Sequence, residues 1–267
     1  MSISTTQTLN HRSQRGFTLI ELSVAMVIAL FLLGGLFAVV QNTRTTYGNQ
    51  TALAQLQDNE RLAMTLITDV VQSAGYFPDP STHTAAAAFV NGTLAAGTPV
   101  TGTIQDFQPI AGVRRTADPG DAITVRYMTA SGDGVMLCNG TSNTTGDATY
   151  LNTFAVVVDP TTGTSNLVCY LGKDFAAPAA AVTLVSGVKR LDVLYGVKRN
   201  AGTTNNVDTY ARADQMTAAD WLNVTSVKVK VTFANPMKGQ AGQTGGARDT
   251  IVFQRIVAVM NRAGLKS

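Results

Sequence analysis

The chain has 267 residues, of which 45% are hydrophobic, 7% aromatic and 14% charged. Beyond the N-terminal apolar segment, roughly 190 residues remain, enough for one globular domain with room for an inserted subregion. The high Gly, Thr, Ala and Asn content and the low aromatic content favour a loop-rich, strand-rich extracytoplasmic domain over a helical enzyme.

Charge is distributed unevenly along the chain. The formal net charge is +3, but residues 17–185 hold 6 basic and 12 acidic residues, whereas residues 186–267 hold 12 basic and 5 acidic residues. This asymmetry favours either head-to-tail contact between subunits or a basic surface that meets DNA or another anionic polymer. The alternative is that solvated strand faces simply carry Lys and Arg. The candidate basic surface would be built from Lys189, Arg190, Lys198, Arg199, Lys228 and Lys230.

The N-terminal segment combines a basic leader with a membrane-length apolar run. Arg12 and Arg15 precede the run, residues 1–16 contain no acidic residue, and residues 22–40 carry no charge. At about 1.5 Å per residue the run spans roughly 28 Å as a helix, close to the hydrocarbon thickness of a bilayer. The positive-inside rule therefore places the N-terminus in the cytoplasm and the rest of the chain across the membrane.

Glu21 lies at the mouth of this apolar run. A carboxylate at the edge of a membrane span is costly, which makes it a functional-site candidate by default. The alternative is a first-turn acid that complements the helix dipole.

Residues 14–21, Gln-Arg-Gly-Phe-Thr-Leu-Ile-Glu, together with the apolar run resemble the class III signal of type IV prepilins. In that family a dedicated peptidase cuts after the glycine, which implies cleavage between Gly16 and Phe17. The resemblance also implies N-methylation of Phe17, and pairing of Glu21 with the free N-terminal amine of a neighbouring subunit. This cleavage site precedes the apolar run, unlike that of an ordinary secretory signal, so the run stays in the mature protein.

A single long helix is predicted over residues 17–74. No proline interrupts it, and apolar or small residues recur at helical spacing over residues 53–74. Gly75 and then Pro78 end the helix. Its first half is apolar all round and its second half is amphipathic, so the second half is expected to lie against a sheet. The predicted organisation is a leader (1–16), a transmembrane and assembly half of the helix (17–40), an amphipathic half (41–77) and a globular β-rich domain (78–267).

The remainder of the chain is predicted to be mostly strands. Residues 78–120 are rich in Pro, Gly, Ala and Thr and indicate a long connection with room for a short strand. Residues 227–231 alternate Val and Lys, as an antiparallel strand buried on one face does. Residues 131–134, Ser-Gly-Asp-Gly, indicate a hairpin turn. The predicted strands are Ala122–Met128, Val135–Cys138, Phe154–Val158, Leu167–Leu171, Val182–Val197 with a break, Val224–Phe233 and Thr250–Met260.

The two cysteines, Cys138 and Cys169, both lie in the exported part of the chain, where the periplasm is oxidising. Each belongs to a short strand-like run, and a disulfide between them is expected; two buried thiols are the alternative. The bond would close a loop of about 32 residues, which is worth roughly 3–4 kcal/mol in the chain-entropy model. Two cysteines without nearby histidines do not make a zinc site.

The sequence contains no recognisable catalytic set. His83 lies in a Thr- and Ala-rich loop with no carboxylate or Cys partner evident nearby, which predicts a solvated loop histidine. No nucleophile elbow, phosphate-binding glycine loop or HExxH motif is present. We therefore expect no enzyme activity, no metal site and no cofactor. Trp221, the single tryptophan, is expected to cover a sheet edge or the helix; an exposed ligand platform is the alternative.

A narrower resemblance extends along the helix and into the last third of the chain. Residues 53–63, Leu-Ala-Gln-Leu-Gln-Asp-Asn-Glu-Arg-Leu-Ala, and residues 73–76, Ser-Ala-Gly-Tyr, resemble the stalk of PilW-type minor pilins. Residues 187–197 and 257–262 are similar to that family too, whereas no resemblance is seen over residues 78–180. The resemblance implies an α+β, type IV pilin-like fold in which a long N-terminal helix packs on an antiparallel β-sheet.

The same resemblance implies a minor pilin that takes part in type IV pilus assembly or initiation, upstream of twitching motility, adhesion or DNA uptake. Its partners would be other minor and major pilins, the prepilin peptidase and inner-membrane lipid, with DNA as an unsupported further partner. The expected location is the bacterial inner membrane, as a single pass with a periplasmic C-terminus, and then the pilus at the cell surface. Three alternatives stay open: a minor pseudopilin of a type II secretion system, a DNA-uptake or adhesion pilin that uses the basic surface, and a membrane-tethered enzyme.

We predict that the mature chain begins at Phe17. Mass spectrometry of membrane fractions should show loss of residues 1–16 and N-methylation of Phe17. Gly16→Ala should be processed poorly, because the peptidase of this signal class needs a residue with almost no side chain. Finding the chain intact from Met1 in wild-type cells would contradict the prepilin interpretation.

Overall fold

The computed structural model describes residues 16–117, 119–178, 180–200, 206–238 and 248–260. The chain forms two compact units, Met1–Thr51 and Ala52–Ser267. The predicted leader, residues 1–16, lies outside the described residues except for Gly16.

The first unit holds the apolar part of the long helix α1, which spans Leu19–Gln72 and has 54 residues. The large side chains of this part are exposed, including Phe31 at 80% and Phe37 at 65%. A helix that is apolar on every side cannot bury its side chains when its own unit offers nothing to pack against. It therefore needs an apolar environment outside that unit.

Helix α1 is two residues shorter at each end than residues 17–74, the range predicted from the sequence. At its C-terminal end, the amide of Ala74 bonds to the carbonyl of Val71, a tighter turn than the α-helical one. Gly75 then adopts φ +76°, and its amide donates to the carbonyl of Arg126 at 2.9 Å. The chain therefore leaves the helix at the glycine that the sequence indicated.

In the second unit, one face of α1 is buried. The periodic positions predicted from the sequence are confirmed there: Ala63, Val70 and Ala74 are fully buried, and Ile67 is nearly so. One hydrophobic cluster joins this face to residues of both larger sheets. The buried residues of α1 are Leu56, Ala63, Met64, Leu66, Ile67, Val70 and Val71.

The strands form two larger antiparallel sheets where the sequence analysis expected one. The first sheet has the order β3-β4-β5-β6-β7, a meander in chain order, and the second has the order β11-β10-β8-β9; β1 and β2 form a small separate pair. The strands are β1 (Gly92–Thr93), β2 (Thr103–Ile104), β3 (Ile110–Val113), β4 (Ala122–Thr129), β5 (Ala148–Val158), β6 (Ser165–Lys173), β7 (Val182–Ser186), β8 (Val188–Val197), β9 (Thr209–Ala211), β10 (Ser226–Ala234) and β11 (Thr250–Ala258). The short helices are α2 (Ala85–Ala88), a 3₁₀ turn (Ala213–Gln215) and α3 (Ala218–Leu222).

The prediction of a strand over Val135–Cys138 is wrong. These residues lie in the connection between β4 and β5, with one isolated bridge between Met136 and Ser142. The carboxylate of Asp133 accepts the amides of Ala130 and Val135, and the amide of Cys138 donates to the side chain of Asn152. Because side chains accept these amides, no ladder forms there. The turn predicted over residues 131–134 belongs to this longer connection.

The two larger sheets meet at a backbone junction beside Asp121. The amide of Asp121 donates to the carbonyl of Leu191 at 2.7 Å, and its buried carboxylate accepts the amide of Val193 at 2.9 Å. Burial raises the pKa of this carboxyl above its ordinary value, against the opposing effect of its amide donors. Gly120 is required at the junction, because its φ is +92° and a Cβ there would lie 2.3 Å from the carbonyl oxygen of Leu191.

A buried arginine holds the connection that precedes β3. Arg126 on β4 is fully buried, and burial lowers the pKa of its guanidinium to about 10. Its guanidinium donates to backbone carbonyls and lies over two aromatic rings, so its positive charge is satisfied without an ion pair to any described carboxylate. The carbonyls belong to Val90, Gln105 and Gln108, and the rings to Phe89 and Phe175.

Tyr195 fills the space beside a glycine of the neighbouring sheet. Its hydroxyl is buried and has no hydrogen-bond partner among the described residues. A Cβ built on Gly112 in β3 would lie 1.9 Å from that hydroxyl oxygen and 2.8 Å from the adjacent ring carbon. Glycine at position 112 is therefore needed for close approach of β3 to β8.

We predict that Gly112→Ala lowers the free energy of unfolding by about 1–3 kcal/mol, the usual cost of overpacking a core. Tyr195→Phe should be neutral or stabilising, because it removes a buried hydroxyl that lacks a partner. The double variant should recover part of the loss, since the closest clash disappears while the ring carbon remains near. Thermal melting of the purified protein measures all three.

Gly48→Ala is the matched control, because Gly48 lies in α1 with open space around it. It should not lower the melting temperature of the folded unit, because alanine is favoured over glycine in a helix interior. A Tyr195→Phe variant as unstable as Gly112→Ala would show that the hydroxyl has a partner and would contradict this packing argument.

Candidate functional site

The first feature of the site is the peptide bond between Gly16 and Phe17. Both residues lie in non-helical chain just before α1, and the Phe17 residue is 88% exposed. A Cβ on Gly16 would meet no atom within 4 Å. Packing within the described chain therefore does not require glycine at position 16. If processing depends on this glycine, the dependence would come from the peptidase that reads the site.

The second feature is a reciprocal cap at the start of α1. The hydroxyl of Thr18 accepts the amide of Glu21 at 3.4 Å, and Glu21 Oε2 accepts the amide of Thr18 at 3.2 Å and its hydroxyl at 3.1 Å. This is the capping box, in which an N-cap Thr and an acid three residues later satisfy each other's amides. Thr18 explains why α1 begins at Leu19, after the predicted Phe17. Thr18 was not among the predicted site residues, although its Thr-x-x-Glu spacing to Glu21 is the sequence signature of a capping box.

The cap bears directly on the two interpretations of Glu21. Within this single chain, Glu21 is a first-turn acid that caps the helix, as the alternative interpretation expected. Its other carboxylate oxygen, Oε1, has no hydrogen-bond partner in the part of the chain that the structure describes. The pairing of Glu21 with a neighbouring amine stays a prediction, and the observed cap leaves one oxygen open for it.

The third feature is the apolar surface that follows the cap. Helix α1 contains an 18-residue window with mean hydropathy 2.7, none of it buried, and is long and apolar enough to cross a membrane. Gly34 and Gly35 lie within the continuous helix and do not interrupt it. The exposed apolar surface thus begins directly at the Thr18–Glu21 cap.

The expected disulfide is present in the folded unit. Cys138 and Cys169 are bonded, with their Cα atoms 5.8 Å apart. Cys169 lies on β6, and Cys138 lies in the β4–β5 connection. Both cysteines are fully buried, so the bond ties an irregular connection to a central strand within the core.

The six predicted basic residues do not form one surface. Arg190, Lys228 and Lys230 line a cleft of about 430 Å³ on the second sheet, whereas Lys189, Lys198 and Arg199 are not among its lining residues. Arg199 instead donates two hydrogen bonds to Asp220, at 3.2 and 2.8 Å. These bonds hold the pKa of the Asp220 carboxyl at about 2.

The prediction that His83 has no carboxylate partner is wrong. Its Nε2 lies 3.1 Å from a carboxylate oxygen of Asp147, and its Nδ1 lies 2.9 Å from the hydroxyl of Thr82. The partner is 64 positions away in the sequence, so local sequence gave no signal for it. Trp221 on α3 packs edge-on against the ring of Tyr195, with centroids 4.7 Å apart, and is partly buried against the core, as expected for a covering residue.

The long N-terminal helix and the antiparallel sheets define an α+β protein with a pilin-like fold. The prokaryotic N-terminal methylation motif matches residues 11–37, and the family model of the type IV pilus-assembly protein W, PilW, matches residues 153–259. Together these matches support a PilW-type pilin with a class III prepilin signal. A search of the curated proteins gives no match.

The extent of these matches corrects one part of the sequence analysis. The PilW match begins within β5 and runs to the end of β11, so it includes residues 153–180, where no resemblance was seen. The methylation motif covers the cap and most of the apolar run of α1. The prepilin signal and the apolar helix together indicate membrane anchoring and a type IV pilus component.

We predict that Cys138→Ser with Cys169→Ser lowers the free energy of unfolding by up to roughly 3–4 kcal/mol, because the unfolded chain loses a loop constraint. Export and membrane insertion should continue, since the signal lies far from both cysteines in the sequence. Non-reducing peptide mapping should recover the linked pair from the wild type. Two thiols that react with alkylating reagent in the undenatured protein would contradict the bond.

Proposed function

We propose that this PilW-type pilin is a minor pilin that takes part in the assembly or initiation of a type IV pilus, and that it acts by incorporation and not by catalysis. The observation that carries the proposal is the Thr18–Glu21 cap placed at the head of an exposed apolar helix, next to an accessible Gly16–Phe17 bond. The PilW match, which covers the second sheet and the later strands of the first, supports a pilus over the secretion pseudopilus that shares this signal.

The first step of the mechanism is cleavage after Gly16. Cleavage converts the amide of Phe17 into a free amine, which is positively charged at neutral pH. The Thr18–Glu21 cap survives this step, because it uses the amide and hydroxyl of Thr18 and no atom of the leader. The processed chain therefore presents a carboxylate with one open oxygen and, four residues before it, a new cation.

The second step is pairing between subunits. The amine of Phe17 in one subunit would pair with Oε1 of Glu21 in a neighbour, while Oε2 keeps the helix cap. Transfer of an unpaired amine into an apolar bundle typically costs about 3–5 kcal/mol, so pairing selects arrangements in which cation and carboxylate meet.

The third step is transfer of the helix out of the bilayer. The apolar part of α1 exchanges lipid contacts for contacts with other pilin helices, so its environment stays apolar and the transfer loses little hydrophobic free energy. The other pilins, the prepilin peptidase and the inner-membrane lipid are thus the proposed partners. The proposed orientation is a single pass with the C-terminus in the periplasm, as Arg12 and Arg15 favour.

We predict that Glu21→Gln abolishes or strongly reduces incorporation into pili at a normal level of processed protein. Glutamine at this position still completes a capping box, so the helix start is kept while the charge is removed. Glu21→Asp should be intermediate, because the charge stays but its reach is shorter. The measurement is surface piliation and twitching in a deletion strain complemented with each variant, beside immunoblots of the processed chain.

Asp58→Asn is the matched control, since it removes one carboxylate charge from an exposed position of the same helix. It should assemble like the wild type. Normal piliation by Glu21→Gln would show that the role of Glu21 is confined to capping the helix. That result would contradict the pairing step. The melting temperature of the folded unit should not change in either variant, because neither residue belongs to its core.

A further inference from the structure

The outer face of the second sheet carries a row of cationic side chains. Along β10, Lys228 and Lys230 alternate with buried valines and point away from the core. Across the sheet, Lys228 pairs with Leu194 of β8, and Lys230 pairs with Asp192. The cleft on this face, called the sheet cleft below, is lined by Arg114, Asp121, Arg190, Asp192, Val193, Leu194, Arg212, Lys228, Lys230 and Gln254.

The sheet cleft keeps a net positive charge after its internal ion pairs are counted. Its lining has five basic and two acidic side chains. Asp192 is shared by Arg190 at 2.7 Å and Lys230 at 3.4 Å. Asp121 is buried and occupied by backbone amides, so it contributes little accessible negative charge. Arg114 lies 3.6 Å from a half-exposed carboxylate, that of Asp214.

Two cations of the sheet cleft have no carboxylate within ion-pair distance among the described residues, namely Arg212 and Lys228. Arg212 directly follows β9, where the register that pairs Tyr195 with Ala211 places it beside Leu194. Lys228 lies on the other side of Leu194. Their backbones are therefore two strand spacings apart, roughly 10 Å, a span that two long side chains can close around one anion.

We propose that the sheet cleft binds the phosphodiester backbone of double-stranded DNA. Arg212 and Lys228 would hold one phosphate across Leu194, and Lys230 and Arg190 would extend the contact along the strand direction. Arginine and lysine are the side chains that bind phosphate through charge-assisted hydrogen bonds. This inference is independent of the assembly mechanism, because none of its residues lies in α1.

The chemistry of the lining selects among polyanions. Among the described residues, no aromatic side chain lines the sheet cleft, so this lining offers no platform on which unpaired bases could stack, as single-strand binding requires. An interface with an acidic protein typically centres on buried aromatic anchors, which this lining also lacks. Contacts made only by cations favour the duplex backbone, without sequence preference.

The test uses the full chain in an uncharged detergent and a labelled 30-base-pair duplex followed by fluorescence anisotropy. We expect a dissociation constant in the micromolar range at about 100 mM salt, and a log–log salt slope of about −2 to −4. Arg212→Gln with Lys228→Gln should weaken binding at least about tenfold and make the slope shallower by about 2. Neither substitution breaks an ion pair, so the melting temperature should stay at the wild-type value.

The matched control is Arg61→Gln with Lys173→Gln, which removes one Arg and one Lys from exposed positions outside the sheet cleft. It should bind the duplex like the wild type. Equal losses in the two double variants would show a general charge effect and overturn the site. Absence of duplex binding, or binding of poly-L-glutamate in its place, would overturn the assignment of DNA as the ligand. A single-stranded oligonucleotide that binds more tightly than the duplex would overturn the duplex assignment.

Discussion

The burial of one face of α1 sets the positions of both larger sheets. Ala63 and Val70 are fully buried on this face, as is Ala74 just beyond the helix, and one hydrophobic cluster connects them to strands of each sheet. Short side chains let strands approach the helix closely, and close-packed interiors penalise any change of volume there. The sheets could not keep their places if this face were polar, because each would lose its shared apolar partner.

Around that core, polar contacts fix the segments that have little apolar surface of their own. Arg126 holds the connection before β3 through backbone carbonyls, and Asp121 joins the two sheets through backbone amides. The disulfide ties the β4–β5 connection to β6. Arg126 and Asp121 are buried side chains that satisfy backbone groups. Such contacts let irregular chain lie against a core without leaving amides or carbonyls unpaired.

Features that repeat along the sequence could be predicted, and features that depend on distant partners could not. The alternation of Val and Lys over residues 227–231 identified β10, and the helical spacing over residues 53–74 identified the buried face of α1. The connection over residues 78–120 was predicted to hold a short strand, but β3 could not be located within it, because four residues containing Ala and Gly carry almost no periodic signal. The partner of His83 lies on the far side of α2 and β1–β4 in the sequence, and the sheet cleft combines residues from six separate segments. Most of the sheet cleft is brought together by the strand order β11-β10-β8-β9, which local patterns do not specify.

The reciprocal cap at Thr18 has a consequence for the energy of the processed chain. An uncleaved chain has a neutral peptide group at Phe17, whereas cleavage after Gly16 would place an ammonium beside the positive end of the α1 dipole. Like charges at that end are unfavourable, and the single carboxylate of Glu21 is already shared with the cap. Processing would thus introduce an unfavourable electrostatic interaction at the start of α1. Contact with the carboxylate of a second subunit would offset that interaction. If subunits pair as proposed, the leader would keep each subunit from associating, and its removal would supply the electrostatic drive to associate.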